Sequence, residues 1–231
     1  MGDPYELAPD RGAPELPGRV VVRESAEDAL EAAGGELFAL SVECVRAFGD
    51  FHLALSVSPT LEGLFRALMV DPKFRALPWN RTHLWLACEN AAGGHWRDLH
   101  ELLIEHAGIP DEQAHPIPVG EGADGYASVM RETLAWREPG HDRLDGVVLA
   151  LDDPILSAPG GGGEGLVGQM DEGVRLSRRM INASRFIGVV GVGTPASRRL
   201  QKNERENAFG LSPIGGELYW FLDHAACEGD S

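Results

Sequence analysis

Apolar and polar positions alternate along this chain in two rhythms, short continuous apolar runs and longer stretches of helical spacing. Val20–Val22 is a short β-branched run, and after Ser25 the apolar residues Ala29, Leu30, Ala33, Leu37, Leu40 and Val45 recur at helical spacing, which predicts a first strand and a first helix. Ser25 is followed three residues later by Asp28, a modest N-cap pairing because the usual partner is Glu or Gln. Phe51–Leu55 predicts a second strand, and Leu61, Leu64, Phe65, Leu68 and Met69 form the buried stripe of a second helix. Tyr126, Val129, Met130, Leu134 and Trp136 predict an amphipathic helix, which feeds the apolar run Gly146–Leu151. Phe186–Val192 is a further buried strand, and ELYWFLDHAA near the C-terminus predicts a last strand running into a short helix.

Continuous apolar runs such as Gly146–Leu151 suit strands covered on both faces, and their alternation with helices predicts an α/β fold: a doubly wound, mostly parallel sheet with helices on both faces. At 231 residues the chain is long enough for one such domain. Met1–Gly18 carries Pro4, Pro9, Pro14 and Pro17 among acidic residues, so a loose tail is expected ahead of a single domain over residues 19–231. Lys and Arg number 20 against 36 Asp and Glu, a net charge of -16, which repels phosphate backbones and anionic lipid and argues against nucleic-acid or membrane partners. Cys44, Cys88 and Cys227 lie far apart without a C-x-x-C spacing, and no apolar run approaches a membrane span, so a soluble protein of the reducing cytoplasm is expected. No feature of the sequence bears on oligomeric state.

In a doubly wound sheet, ligands sit off the carboxyl ends of the strands. The loop after Gly146–Leu151 supplies Asp152, Asp153, Pro154, Ile155, Leu156 and Ser157, with no histidine, lysine or arginine. Gly160–Gly163 lacks the lysine of a phosphate loop and reads as a flexible lid, and GVGTP after Phe186–Val192 does not complete a dinucleotide fingerprint. Ser58 and Thr60 at the start of the second helix are candidate anion contacts, although Ser58 as N-cap with Pro59 at the first helical position is the simpler reading. His95, His100 and His106 lie near Cys88, but His100 and His106 are six residues apart and do not share a helix face as H-E-x-x-H requires. Neither a metal nor a cofactor is expected.

From Val20 to Ala226 the chain resembles the 6-phosphogluconolactonase family, whose fold is shared with the glucosamine-6-phosphate deaminases. The resemblance is densest at Trp79, His83, Leu84, Glu89, Arg97, Ile109, Pro110 and His115, against a family pattern W-x-x-V-H-L-F-W-G-D-E-R, S-N-Y-R and I-P-x-x-x-x-H. It continues at Asn182 and Ala183, in the family's R-I-T-L-T-x-P-x-I-N-x-A, and at the C-terminal ELYWFLDHAA. Other positions depart from the pattern. The family's loop G-M-G-x-D-G-H-T-A-S carries the histidine taken as the base that activates water, and that histidine falls on Leu156, with the loop aspartate on Pro154. The glycines of S-G-G-S-T-P fall on Val57 and Ser58, the Asp and Arg of G-D-E-R on Cys88 and Asn90, the S-N pair on Gly94 and His95, and the strand-end lysine of G-x-x-K on Thr194. The family's arginine falls on Gly173 without a gap and on Arg175 after a two-residue shift.

The resemblance implies a sugar-phosphate ligand held by Ser58, Thr60, Arg175 and Thr194, with Arg178 and Arg179 as further cations and at most one arginine reaching the pocket. Loss of the family's polar positions favours a non-catalytic relative, acting as a binding, regulatory or assembly subunit linked to carbohydrate metabolism through a sugar phosphate or a protein partner. The alternative is an active divergent lactonase of the pentose phosphate pathway, or a related sugar-phosphate hydrolase, whose acid or base comes from Asp152, Asp153, Glu89 or His95.

Overall fold

The computed structural model describes residues 13–90, 92–118, 121–157, 165–170, 173–204 and 209–228, so Gly160–Gly163 and most of the proline-rich tail lie outside the described residues. Its strands are β1 (Arg19–Arg23), β2 (Phe51–Leu55), β3 (Thr82–Leu86), β4 (Cys88–Asn90), β5 (Ala114–His115), β6 (Gly146–Ala150), β7 (Val167–Met170), β8 (Gly173–Leu176), β9 (Phe186–Gly191) and β10 (Glu217–Asp223). The helices are α1 (Ala26–Phe48), α2 (Pro59–Val70), α3 (Gly94–Leu99), α4 (Glu105–Ala107), α5 (Gly122–Leu134), α6 (Pro154–Ser157), α7 (Arg178–Ala183), α8 (Gly193–Glu204) and α9 (His224–Cys227). Seven strands form one sheet in the order β1-β10-β9-β6-β2-β3-β5, with every adjacent pair parallel. A second, antiparallel sheet of β4, β8 and β7 stands beyond the carboxyl end of β3, an element that the apolar pattern did not predict.

Both faces of the large sheet are covered, as the unbroken apolar strands require. One face packs Leu37 of α1 and Leu61, Leu64 and Leu68 of α2 against Leu53, Leu55, Val148 and Phe221. The other receives Tyr126 and Met130 from α5, Leu156 from α6, Ile181 from α7 and Leu200 from α8 against Val147, Leu149, Val189 and Trp220. Ser25 caps α1: its Oγ accepts from the Asp28 backbone N–H at 3.1 Å and donates to the Asp28 carboxylate at 2.6 Å, so Asp28 completes the cap from its own side chain. Helix α5 ends at Leu134, two residues earlier than the apolar pattern suggested, and Trp136 is 91% exposed instead of buried. Among the described residues no helix is long and apolar enough to cross a membrane.

The amino-terminal end of the sheet is held by buried charge. Asp145, with no exposed surface, accepts from Arg137 through both Nη atoms at 2.8 and 2.7 Å, from Arg185 Nε at 3.1 Å and from the His52 backbone N–H at 2.8 Å. Arg137 also donates to Asp50, and both guanidinium groups stand over the Phe48 ring.

At the other end, Gly173 lets the small sheet close. Its φ is +145°, and a Cβ there would sit 2.0 Å from the Glu89 carbonyl oxygen. Gly173→Ala is therefore expected to cost about 2 kcal/mol or more, through backbone strain and steric clash. Chemical denaturation checks this; an unchanged midpoint would show that β8 accommodates the methyl group.

Candidate functional site

The carboxyl ends of β2 and β6 and the small sheet enclose the region where a ligand is expected. After β6, Asp152 points into solvent and accepts from Thr60 Oγ1 at 3.4 Å. Asp153 turns inward and is 2% exposed; its carboxylate accepts the Ile155 backbone N–H at 2.7 Å and the Cys88 thiol, which lies 3.7 Å from both oxygens. That bond to Ile155 starts α6, whose first residue is Pro154, and the turn directs Ile155 and Leu156 into the core. Leu156 is 1% exposed. Burial raises the Asp153 carboxyl above the usual carboxylate range, and burial followed by the neighbouring Asp153 charge pushes the Cys88 thiol up as well. A raised thiol is a poor nucleophile, so Cys88 is a buried hydrogen-bonding group.

Glu89 is fully engaged. Its two oxygens accept from the backbone N–H groups of Asn90, His95 and Trp96 at 2.8, 3.0 and 2.8 Å, a carboxylate seated on the first turn of α3. His95 Nδ1 lies 3.0 Å from the Cys88 carbonyl oxygen, which can only accept, so this nitrogen carries the proton and Nε2 holds the ring's lone pair. Of the four fallback acid or base residues, Glu89 is consumed by backbone bonds, Asp152 faces solvent and Asp153 is enclosed. His95 presents Nε2, and Asp152 a solvent-facing carboxylate, as basic atoms.

Two arginines stand on one cavity beside the small sheet. A cavity of about 200 Å³ is lined by Ile155, Val167, Gln169, Arg175, Ser177 and Arg178. Arg175 is the cross-strand neighbour of Cys88, which places it at the mouth of the strand-end region, whereas Gly173 lies opposite Asn90. Arg178 follows Ser177, whose Oγ caps α7 by accepting from the Met180 N–H at 3.1 Å. The Arg178 guanidinium has a buried Nη1 without a hydrogen-bond partner, and burial and the neighbouring Arg175 charge lower its pKa. The expectation of at most one arginine was made for the pocket bounded by Val57, Pro59, Leu156 and Thr194, none of which lines this cavity, whereas both arginines do. The cause is the register of β8 and α7: two residues three apart across the Ser177 cap face the same space.

The other expected contacts are more scattered. Ser58 occupies the N-cap position of α2 with Pro59 next, but its side chain makes no cap bond, and its Oγ is buried without a partner. Thr60 is taken up with Asp152. Thr194 is exposed in the first turn of α8, where the Gly193 N–H donates to both oxygens of Asp223 at 2.9 and 3.0 Å. Neither Ser58, Thr60 nor Thr194 lines the arginine cavity. Arg178 was named only as one of three interchangeable cations; its place after the N-cap Ser177 was the available signal.

No family model matches the chain. It is 28% identical over 269 residues to the human GDH/6PGL endoplasmic bifunctional protein, an alignment covering 96% of this chain and 33% of that protein, so the chain spans about a third of its relative's length. The 6-phosphogluconolactonase from Thermotoga maritima superposes with a TM-score of 0.72 at 17% identity, covering 89% of this chain and 99% of that one. A monomeric glucosamine-6-phosphate deaminase does so with a TM-score of 0.67 at 15% identity, covering 90% and 98%. The chain thus has the fold shared by the 6-phosphogluconolactonases and glucosamine-6-phosphate deaminase, and is similar in sequence to about a third of the GDH/6PGL bifunctional protein.

Proposed function

We propose that this protein binds a phosphorylated sugar acid or lactone at the Arg175–Arg178 cavity and does not hydrolyse it by the route of its relatives, acting instead as a binding or regulatory subunit in carbohydrate metabolism. The observation that carries the reading is the pair of arginines on one cavity, one of them with a buried, unsatisfied Nη1. An unpaired buried donor is costly, and a phosphate oxygen satisfies it with a charge-assisted bond. The two guanidinium groups also reverse locally the net charge of -16 that would otherwise repel an anion. The catalytic half of the site is not matched in this way, since the residue in the family's base position, Leu156, is part of the core. The buried thiols of Cys44 and Cys88 suit a reducing cytoplasm, although the human relative is endoplasmic by name.

A thermal-shift titration with inorganic phosphate and 6-phosphogluconate tests the reading. A ligand at a hundred times its dissociation constant adds about 2.7 kcal/mol, which for a domain of this size raises Tm by about 5–10 °C. Arg175→Ala and Arg178→Ala are each expected to remove most of that shift. A wild-type protein whose Tm responds to neither anion would contradict the proposal.

A further inference from the structure

Away from the ligand site, three histidines form a row across the edge of the large sheet. His52 of β2 stacks on its register partner His83 of β3, with centroids 4.4 Å apart, and His83 Nδ1 lies 2.9 Å from His115 Nε2 on the edge strand β5. His115 in turn stacks on the fully buried Trp85 at 3.8 Å. Trp85 donates its indole N–H to His52 Nδ1 at 3.2 Å, and His52 Nε2 faces Asp50 at 3.3 Å.

These bonds fix the protons. An indole N–H can only donate, so His52 Nδ1 is the bare nitrogen and Nε2 carries the hydrogen toward Asp50. For that reason Asp50, His52 and His83, whose ligand atoms lie within 4.8 Å of one another, do not offer a metal ion the lone pair it needs from His52. The His83–His115 contact likewise requires one of its nitrogens to be bare. The row is satisfied when all three rings are neutral, and doubly protonating the pair would set two N–H groups against each other.

The surroundings reinforce neutrality. Burial first, then His52, lowers His83 to about 4, and burial, then His83, lowers His115 to about 3. For His83, Asp50 favours protonation, while Arg137, in the segment after α5, opposes it. Asp50 is itself held at about 2, because bonds from His52 and Arg137 outweigh its burial. Asp145 is neutralised by Arg137 and Arg185, and Tyr126 of α5 meets Trp85 edge-on with its hydroxyl bonded to the Leu86 N–H and carbonyl.

We infer that the His83–His115 pair is an acid-released latch that holds the β5 edge closed over Trp85 and lets it open when two protons bind. Strand β5 is only two residues long and bonded on one side, so these rings are a large part of what fastens it. The sign follows from the lowered pKa values: closure is fully favoured above about pH 6.5 and is lost as pH falls from there toward about 4.

Amide hydrogen exchange on the intact protein between about pH 6 and pH 4.5 tests the latch. After correction for intrinsic rates, edge amides of residues 109–118 are expected to lose protection about 100-fold per pH unit, the signature of two protons, while β6 and β9 stay protected. His115→Gln, and separately the more accessible His83→Gln, should cut the slope to about tenfold or less per unit. Loss of protection in β5, β6 and β9 together would show ordinary acid unfolding and overturn the inference. So would a His83→Gln variant that keeps the two-proton slope.

Discussion

Asp145→Ala is expected to lower the stability of the protein by about 3–5 kcal/mol, the cost of removing one partner from a buried ion network. Nothing replaces the lost carboxylate. Arg137, whose side chain is 4% exposed, would keep only Asp50, and Arg185 would face Phe48 and His141 without its anion. The backbone N–H of His52 would also lose its acceptor, one residue ahead of the pairing of β2 with β6. For a domain of this size such a loss lowers Tm by about 10 °C. Urea unfolding measures it, and because the groups are buried the effect should persist at high salt. A loss below about 1 kcal/mol would mean that the cluster is solvated and that the strand cores alone hold this end of the sheet.

The second large effect concerns catalysis. The protein is expected to hydrolyse 6-phosphogluconolactone no faster than buffer, and Leu156→His is expected to leave that unchanged, although a positioned base is typically worth about 10² to 10⁴ in rate. The sequence argument for this was that phosphate-holding residues are also replaced. The structure adds a second reason: residue 156 is 1% exposed in the apolar cluster with Ile155 and Ile181, so an imidazole there would be buried away from substrate. The variant should also be less stable, by about 2–4 kcal/mol, from lost apolar packing and an unpaired ring nitrogen. A coupled assay settles the matter. Saturable turnover in the wild type, abolished by His95→Ala, would show that the base has moved to β4–α3 and would overturn the non-catalytic reading.

The parts of this molecule that were legible in its sequence are those whose cause is local. Runs such as Gly146–Leu151 and Phe186–Val192 read as buried parallel strands because burial on both faces leaves no polar positions, and these became β6 and β9. The Ser25–Asp28 cap lies within one helical turn and was equally readable. Trp136 misled because amphipathic spacing continues past the helix end at Leu134, where no Gly or Pro marks the stop. The small sheet was hidden for the opposite reason. Its strands are three and four residues long, and β4 finds its partner β8 more than eighty residues later, so neither carries a pattern of its own. At the site, the burial of Leu156 and the engagement of Glu89 depend on a capped turn and on three backbone donors, which side-chain identities do not display. The Asp145 cluster gathers residues from the ends of β2, β6 and β9 and from the segment after α5, a meeting that only the completed fold brings about.

The seating of β1 also dictates an order of events during synthesis. Among the described residues β1 pairs with no strand except β10, in a register that sets Arg19 beside Tyr219 and Arg23 beside Asp223. Of the described strands, β1 is made ahead of all the others and is the last to find its neighbour, and closing so long a loop is entropically slow compared with forming β2, β3 and β6. Until Glu217–Asp223 has left the ribosome, the flank of β9 is an uncovered apolar strand edge, the kind of surface on which nascent chains associate. A chain stopped short of Glu217 would keep that edge permanently, so premature termination late in translation would yield an aggregation-prone product even though most of the sheet had already been made.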